Sequence, residues 1–494
     1  MTQDWRDRRI AELERQLAER DARIAKLEQQ LAAALARIAE LEEKLHKSSR
    51  NSSKPPSSDN PAQAAERRKK AAAITKPAGR KPGGQPGHQK FSRLVVPAPE
   101  VDQHFDCVPD RCEHCAARLQ GRDPKPRLHQ VFELPKVKPK VNQYAIHSLS
   151  CDDCHAVTSG KLPDGVPRGA FGPSVVAVVT FLMGVCRLGK RTVQTVLGDL
   201  FGLEISLGAI IGCQDIACAA LEAPVEQAKA SARRAAIKHC DETSWREGPT
   251  RAKVWLWTVV TRTVTVFSIQ KERSTQAARR LLGKGAGVLV TDRYSAYGFW
   301  DLAMRQICWA HLIRDFVAIA DRGGLSAIIG DSLLDEARRL FAWWHRVRDG
   351  TLQRATFRVY VRSLQKRVLK LLQEGRASAQ PKTARTCAEM LKVWPALWLF
   401  VERDGVEPTN NTAEHAVRHG VLWRKLSGGT HSELGSRFVE RILTVVATLR
   451  KQNRNVLAFL KQACQAHISG SDSPSLLPQR ARLTTTYHET RTAA

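Results

Sequence analysis

Negative charge is scarce in this chain: 49 Asp and Glu stand against 78 Lys and Arg, a formal net charge of +29 across 494 residues. A small-metabolite enzyme has no need of such an imbalance, which points to a polyanionic partner, with nucleic acid ahead of a membrane surface. Long apolar runs are missing too. The longest uncharged stretch, residues 169–186, is 18 residues long and contains Gly172 and Pro173, short of the ~20 apolar residues a bilayer span needs. No membrane span is therefore expected. Nor is a secretory signal, because Asp4, Arg6, Asp7 and Arg8 precede any apolar run, and the 12 Cys read as reduced thiols of a cytoplasmic protein or as metal ligands. What is present is enough apolar material to fold: 43% hydrophobic residues with 11 Trp exclude wholesale disorder and a collagen-like repeat. At roughly 100 to 200 residues per domain, the length implies two to four domains.

From Ile10 the apolar residues fall in heptads. Ile10, Leu17, Ile24, Leu31, Ile38 and Leu45 occupy one seam position and Leu13, Leu27 and Leu41 the other, with Arg20 and Ala34 interrupting the second. Residues 1–46 are thus expected to form a coiled coil, and Ile alternating with Leu suits a parallel homodimer. Residues 1–45 carry 9 basic and 10 acidic side chains, so the positive excess lies elsewhere. Residues 46–100 hold 12 Lys or Arg against 3 acids in a Ser, Pro and Gly background that cannot bury a core. This segment, 47–100 as a unit, reads as a basic arm for phosphates, with Arg67, Arg68, Lys69, Lys70, Arg80 and Lys81 as its densest contacts.

Cys112 and Cys115 form one C-x-x-C and Cys151 and Cys154 a second, separated by 35 residues that read as strands over 130–134 and 142–148. Four thiolates from two knuckles are what structural Zn²⁺ prefers, so 101–165 is expected to be a zinc-ribbon-like module, with Cys107, His114 and His155 as nearby spare ligands. Over 166–230 the pattern is helical. Residues 190–201 read as a helix stopped by Gly202, and Ser206 as the N-cap of the next, a helix-turn-helix with Lys190 and Arg191 at its start.

Beyond residue 231 the period becomes that of strands. Strands are expected over 235–240, ending in Asp241, then 254–261 and 264–270; a helix over 274–282 follows, then a strand over 287–291 ending in Asp292, one over 306–309, and a helix from His311. This order is that of a ribonuclease-H-like core. Carboxylates gathered on neighbouring strands could hold two divalent ions, Mg²⁺ or Mn²⁺, for in-line displacement at phosphorus. Glu414 is a third acid. With Asn411 as N-cap it could equally close a capping box, with Arg418 one turn on as its ion-pair partner.

Taken in order, SSRNSSKPPSSD (48–59), RKPGGQPGH (80–88), the double C-x-x-C, HCDETSW (239–245), TDRYSAY (291–297), CWAHLIRDF (308–316), TNNTAEHAVR (409–418) and SGGTHSELGSRFVERILTVVATLRKQ (427–452) resemble the insertion sequence sixty-six family of bacterial transposases, of the three-carboxylate (DDE) type. The resemblance implies that Asp241, Asp292 and Glu414 are catalytic and bind the ions. It also implies a helical insertion between the second and third acids, here about 320–405 within a catalytic domain of 231–460, before a tail of 461–494. His415 departs from the family, where many relatives carry Arg. Arg293, Tyr294, His311, Arg314, Arg418, Arg424 and Lys425 surround the acids and could hold DNA, whereas Trp245, Trp255 and Trp257 read as core. The function so implied is binding of the element's terminal inverted repeats, cleavage and strand transfer into target DNA, with accessory proteins of the same element as further partners and a nucleoid-associated location. A nuclease that does not join, and an inactive zinc-stabilised DNA-binding protein, are the alternatives.

Overall fold

The computed structural model describes residues 3–52, 59–66, 69, 87–88 and 95–478, and within them the chain is a multi-element α/β protein. Helix α1 (Gln3–His46) is continuous. Its seam is uncovered: Ile10, Leu17, Ile24 and Leu31 are each more than half exposed. After α1 the chain folds back on the body, where Ser49 hydrogen-bonds Asp59 and Arg50 pairs with Asp321 at 3.0 Å.

The cysteine region holds one small hairpin, β1 (Ser148–Ser150) against antiparallel β2 (Val157–Ser159). The strands expected over 130–134 and most of 142–148 are absent. Val131 and Leu134 are exposed there, so the alternating pattern finds no sheet to face.

Helix α2 (Pro173–Gly184) leads to α3 (Lys190–Phe201), which ends where expected, Gly202 adopting the left-handed φ of 61°. Ser206 Oγ accepts from Ala209 N at 3.1 Å and opens α4 (Leu207–Ala220). Helix α5 (Glu222–Arg234) delivers the chain to the sheet.

The central sheet comprises β3 (Ile237–Glu247), β4 (Ala252–Val260), β5 (Thr265–Gln270), then, after α6 (Thr275–Leu282), β6 (Val288–Thr291) and β7 (Arg305–Ile307). Its order is β5-β4-β3-β6-β7, with the first three antiparallel and β3-β6-β7 parallel. On β6, Leu289 joins one hydrophobic core while Val288 and Val290 join another, as a parallel strand covered on both faces must. Two expectations need correction. β3 does not stop before Asp241 but continues six residues beyond it, because β4 keeps pairing with it out to Glu247↔Ala252. β7 ends at Ile307, since Cys308 serves as N-cap and Trp309 begins α7 (Trp309–Ala320).

Helices α8 (Gly324–Arg348), α9 (Arg354–Arg376) and α10 (Pro381–Lys392) form the expected helical stretch around the second core, which they share with β6, β7 and α7, closed by the short α11 (Leu399–Glu402). The chain then returns as α12 (Asn411–Ser427), α13 (Glu433–Lys451) and α14 (Val456–Ser469). Gly420 seats α12 on the sheet: a Cβ there would stand 2.1 Å from Leu256 Cδ2. Helix α13 covers the edge strand β5. Thr448 and Thr444 accept from the N–H groups of Thr265 and Phe267, each at 3.0 Å, and Glu440 accepts from Ile269. The match is geometric, because four helical residues rise ~6.0 Å and two strand residues ~6.7 Å. An edge that would otherwise offer bare donors is thereby closed.

Candidate active site

The register of β3 and β6 sets the two aspartates. Lys238 pairs with Leu289 and His239 with Val290; two residues further on each strand lie Asp241 and Asp292. β6 ends at Thr291 while β3 runs on, so both carboxylates sit where the parallel pairing gives out, at the carboxyl end of β6. Ligand sites in open α/β sheets favour this kind of position. The Asp292 carboxylate accepts from Tyr294 N at 2.9 Å, and buried Arg305 donates to the Asp292 carbonyl at 2.9 Å, which fixes the loop.

Glu414 comes in from α12, and its placement corrects the capping-box alternative. The N-cap is Asn410, so Glu414 is the fourth helical residue and is not part of a box. Asn410, 1% exposed, is instead a tie: its Nδ2 donates to Cys240 O at 2.8 Å, its Oδ1 lies 3.2 Å from His239 Nδ1, and its N–H meets Cys308 Sγ at 3.1 Å. Burial holds His239 down to about 4, so it is neutral there. Thus one residue, through its side-chain amide and its backbone N–H, joins β3, the start of α7 and the start of α12. Sequence reading missed it by placing the N-cap one residue late.

The electrostatics are those of crowded anions. Burial raises the Asp241 pKa well above the carboxylate range, and Glu242, Asp292 and Glu414 raise it further. Like charges so placed call for a cation or a proton. Glu414 Oε1 is buried without a hydrogen-bond partner. His311 Nδ1, also unpartnered, stands 3.6 Å from it, too far for a hydrogen bond. Arg314 donates to His311 Nε2 at 3.2 Å, which assigns the ring proton to Nδ1, facing Glu414. Cys308, His311 and Glu414 offer ligand atoms within 4.8 Å of one another, the one such group among the described residues. Among the described residues Asp241, Asp292 and Glu414 do not form a mutual group within that reach; their carboxylates are hard oxygen donors of the kind a divalent cation takes, and the Glu414 oxygen is buried without a partner.

Glu242, in the motif but given no role from sequence, is a fourth acid. Its side chain is 2% exposed and accepts from Arg273 Nη2 at 2.7 Å and from the Tyr297 hydroxyl. Arg273 in turn stacks 3.8 Å from the Tyr294 ring centre. Fully partnered, Glu242 supplies potential and support, not a free ligand atom. Burial raises its pKa first and Asp292 adds to this, while Tyr297 and Arg273 oppose.

The sequence motifs recur in what the chain resembles. Residues 168–437, more than half of the chain, match the family model described as "Transposase IS66 family". The chain belongs to this transposase family. Residues 6–93 match a second model, a family of unknown function (DUF6444). Two proteins of Sinorhizobium fredii (strain NBRC 101917 / NGR234) are similar. Uncharacterized protein y4hP is 24% identical over 388 residues, 71% of this chain and 69% of its own length. Uncharacterized protein y4qI is 26% identical over 261 residues and is matched over 46% of its length.

The basic residues proposed for DNA are distributed unevenly in this family member. Arg67, Arg68, Lys70, Arg80 and Lys81 lie outside the described residues, and Lys69 is exposed. Lys190 is half-buried, while Arg191, Arg418 and Lys425 are exposed. Arg293 pairs with Asp315 at 2.5 Å. Arg424 is engaged inward, donating to Ser244 Oγ at 2.7 Å and to its carbonyl, which anchors α12 to β3. Among the tryptophans, Trp245 and Trp257 are fully buried, and Trp255 carries Lys253 and Arg273 over its ring.

The two C-x-x-C turns have the same local form. Cys112 N donates to Ala117 O and Ala116 N to Cys112 O, each at 2.9 Å; Cys151 N to Ala156 O and His155 N to Cys151 O repeat both distances. Ala116 and His155 share a left-handed φ, 60° and 53°. In each turn, donors from the following residues lower the pKa of the first thiol, Cys112 or Cys151. The four sulfurs do not form a mutual group within ligand reach. Among the described residues no single helix is long and apolar enough to cross a membrane.

Proposed function

We propose that the chain is a DDE transposase that binds the ends of its own element, cleaves phosphodiester bonds to expose 3′-hydroxyls and joins them to target DNA. The observation that carries this reading is the register of β3 and β6, which sets Asp241 and Asp292 at equivalent strand positions with Glu414 pressing on Asp241 from α12. The strand order and its mixed directions support a ribonuclease-H-like core for 231–460, with α8 to α10 as its helical insertion.

Asp241, Asp292 and Glu414 would hold Mg²⁺ or Mn²⁺. Bound there, the ions supply activation of a nucleophilic oxygen and stabilisation of a leaving one. The chain's own residues do the rest. Asn410 keeps Glu414 in line with β3, Glu242 and Arg273 brace the loop after β6, and exposed Arg418 and Lys425 offer charge to a backbone. The two matched cysteine turns support one structural Zn²⁺ on Cys112, Cys115, Cys151 and Cys154, and α3 with α4 a helix-turn-helix. The uncovered seam of α1 supports pairing of two chains, which joining two ends requires. Accessory proteins of the element are further partners.

A joining assay on labelled end fragments tests the reading. Asp241→Asn, Asp292→Asn and Glu414→Gln are each expected to bind the ends yet neither cut nor join in Mg²⁺. Full strand transfer by any of them would remove that residue from the catalytic set, and cutting without joining by the wild type would make the protein a nuclease.

A further inference from the structure

Between the end of α2, the β4–β5 turn, α12 and α13 lies a cavity of about 210 Å³ whose charged lining is of one sign. Arg187, His415, His419, Arg450 and Lys451 all line it, and no Asp or Glu does. Among the described residues none of these five has an ion-pair partner; Arg187 and His419 are half-buried, and His415, Arg450 and Lys451 are exposed. Arg187 Nη2 lies 3.2 Å from His419 Nδ1, and its Nε is buried with nothing to bond. Lys451 donates to Thr261 O at 2.6 Å, which holds the ammonium at the cavity wall.

The backbone adds to this. Arg187 has φ of 59°, a left-handed conformation that glycine favours at a helix end and that strains a residue with a Cβ. Such strain persists where the surroundings over-determine it and collects at functional sites. After burial, Arg450 lowers the pKa of Arg187, and the two arginines together lower that of His419, as cations do without a counter-ion. Gathered cations repel one another unless an anion completes the set, and guanidinium donors match a phosphate.

We infer that this cavity is a phosphate-binding site, with Arg187 and Arg450 as its principal donors. His415 also lines it, at the position next to Glu414 where the resemblance has Arg in many relatives. Phosphate chemistry could come from a nucleic-acid backbone or from free phosphate. Assigning it to the backbone rests on the transposase reading, since α12 carries both Glu414 and this wall; the anion site itself does not.

The test is thermal melting of the full chain titrated with inorganic phosphate, beside Arg187→Gly and Arg450→Gln. Phosphate is expected to raise the wild-type melting temperature and to bind each variant roughly tenfold more weakly or worse, as loss of a charge-assisted donor should. Arg187→Gly relieves the backbone strain, so without phosphate it should melt no lower than wild type, which separates lost binding from lost folding. Unchanged phosphate titration in both variants would overturn the site. The second arm measures DNA affinity against salt. A backbone occupant predicts a slope shallower by ~0.9 in Arg450→Gln; an unchanged slope with phosphate binding lost would reject the backbone and leave free phosphate as the ligand. Neither arm needs catalysis, so failure of the transposase reading would not decide it.

Discussion

The side-chain amide of Asn410 donates to the carbonyl of Cys240 at 2.8 Å, one residue before Asp241 and four before Glu414, so that a strand acid and a helix acid share one buried tie. Both polar ends of the amide are used, and neither has water to fall back on. Asn410→Ala should lower stability by about 2–4 kcal/mol, because unsatisfied buried groups on His239 and Cys240 each cost ~1–3 kcal/mol. Activity should fall more than stability explains. Urea melts compared with cleavage rates at a temperature where both proteins are folded would show whether it does.

Asp241 provides a pH test. Its folded pKa is raised, so without metal the native state holds a proton that the unfolded state has released. Its contribution is therefore full below the unfolded value near 3.9 and is lost as pH rises through the folded value. Metal-free wild type should lose stability across that rise, and Asp241→Asn should not. Mg²⁺ at a hundred times its Kd should restore about 2.7 kcal/mol to the wild type and nothing comparable to the variant. Melting against pH, with and without Mg²⁺, reads both effects.

The edge strand β5 offers a purely structural prediction. Thr444→Val keeps the shape of the side chain but leaves Phe267 N–H facing a methyl group, at a cost of ~1–3 kcal/mol. Hydrogen exchange at Phe267 should speed up while exchange on β6, at the other side of the sheet, is unchanged. Equal acceleration on both strands would mean that α13 does not guard the edge by this bond.

Where local chemistry decides an element, reading from sequence succeeded. Gly202 and Ser206 bound α3 and α4 as their capping chemistry requires. Tertiary pairing was less legible. Nothing in 235–247 announces that β4 will hold β3 straight past Asp241, and the alternation over 130–134 has no partner to make it a strand. Of the candidate acids, Asp241 and Asp292 were legible from their places at the ends of expected strands, and Glu414 through a resemblance of motifs. Asn410, Glu242 with Arg273, and the contact of His311 with Glu414 depend on residues tens to hundreds of positions apart, and no local pattern encodes them.

The matched cysteine turns predict one tightly held zinc per chain. Cys112→Ser and Cys151→Ser should each lose it, because the first thiol of each turn receives the backbone donors that favour its thiolate. Metal analysis after dialysis, on protein purified without chelator, checks the count. A full zinc content in either variant would point away from a four-cysteine set and toward the group of Cys308, His311 and Glu414.

Helix α1 and the segment after it should do separable jobs. The helix is nearly neutral, with 9 basic and 10 acidic side chains in residues 1–45, and its apolar seam is exposed along most of its length. Deleting 1–45 should therefore turn a dimer into a monomer while changing the salt dependence of DNA binding little. Residues 46–100 carry 12 Lys or Arg against 3 acids, and each phosphate they neutralise contributes ~0.9 to the slope of log affinity against log salt. Their deletion should flatten that slope. Arg50 should be an exception within the segment, since it pairs with Asp321 at the end of α7. Arg50→Ala is then expected to leave the oligomer intact and to weaken DNA binding only modestly, an exposed pair being worth ~0–1 kcal/mol. Sedimentation and salt titration on the three variants separate these outcomes. If loss of α1 altered the slope while loss of the basic stretch altered the oligomer, the two roles would have to be exchanged.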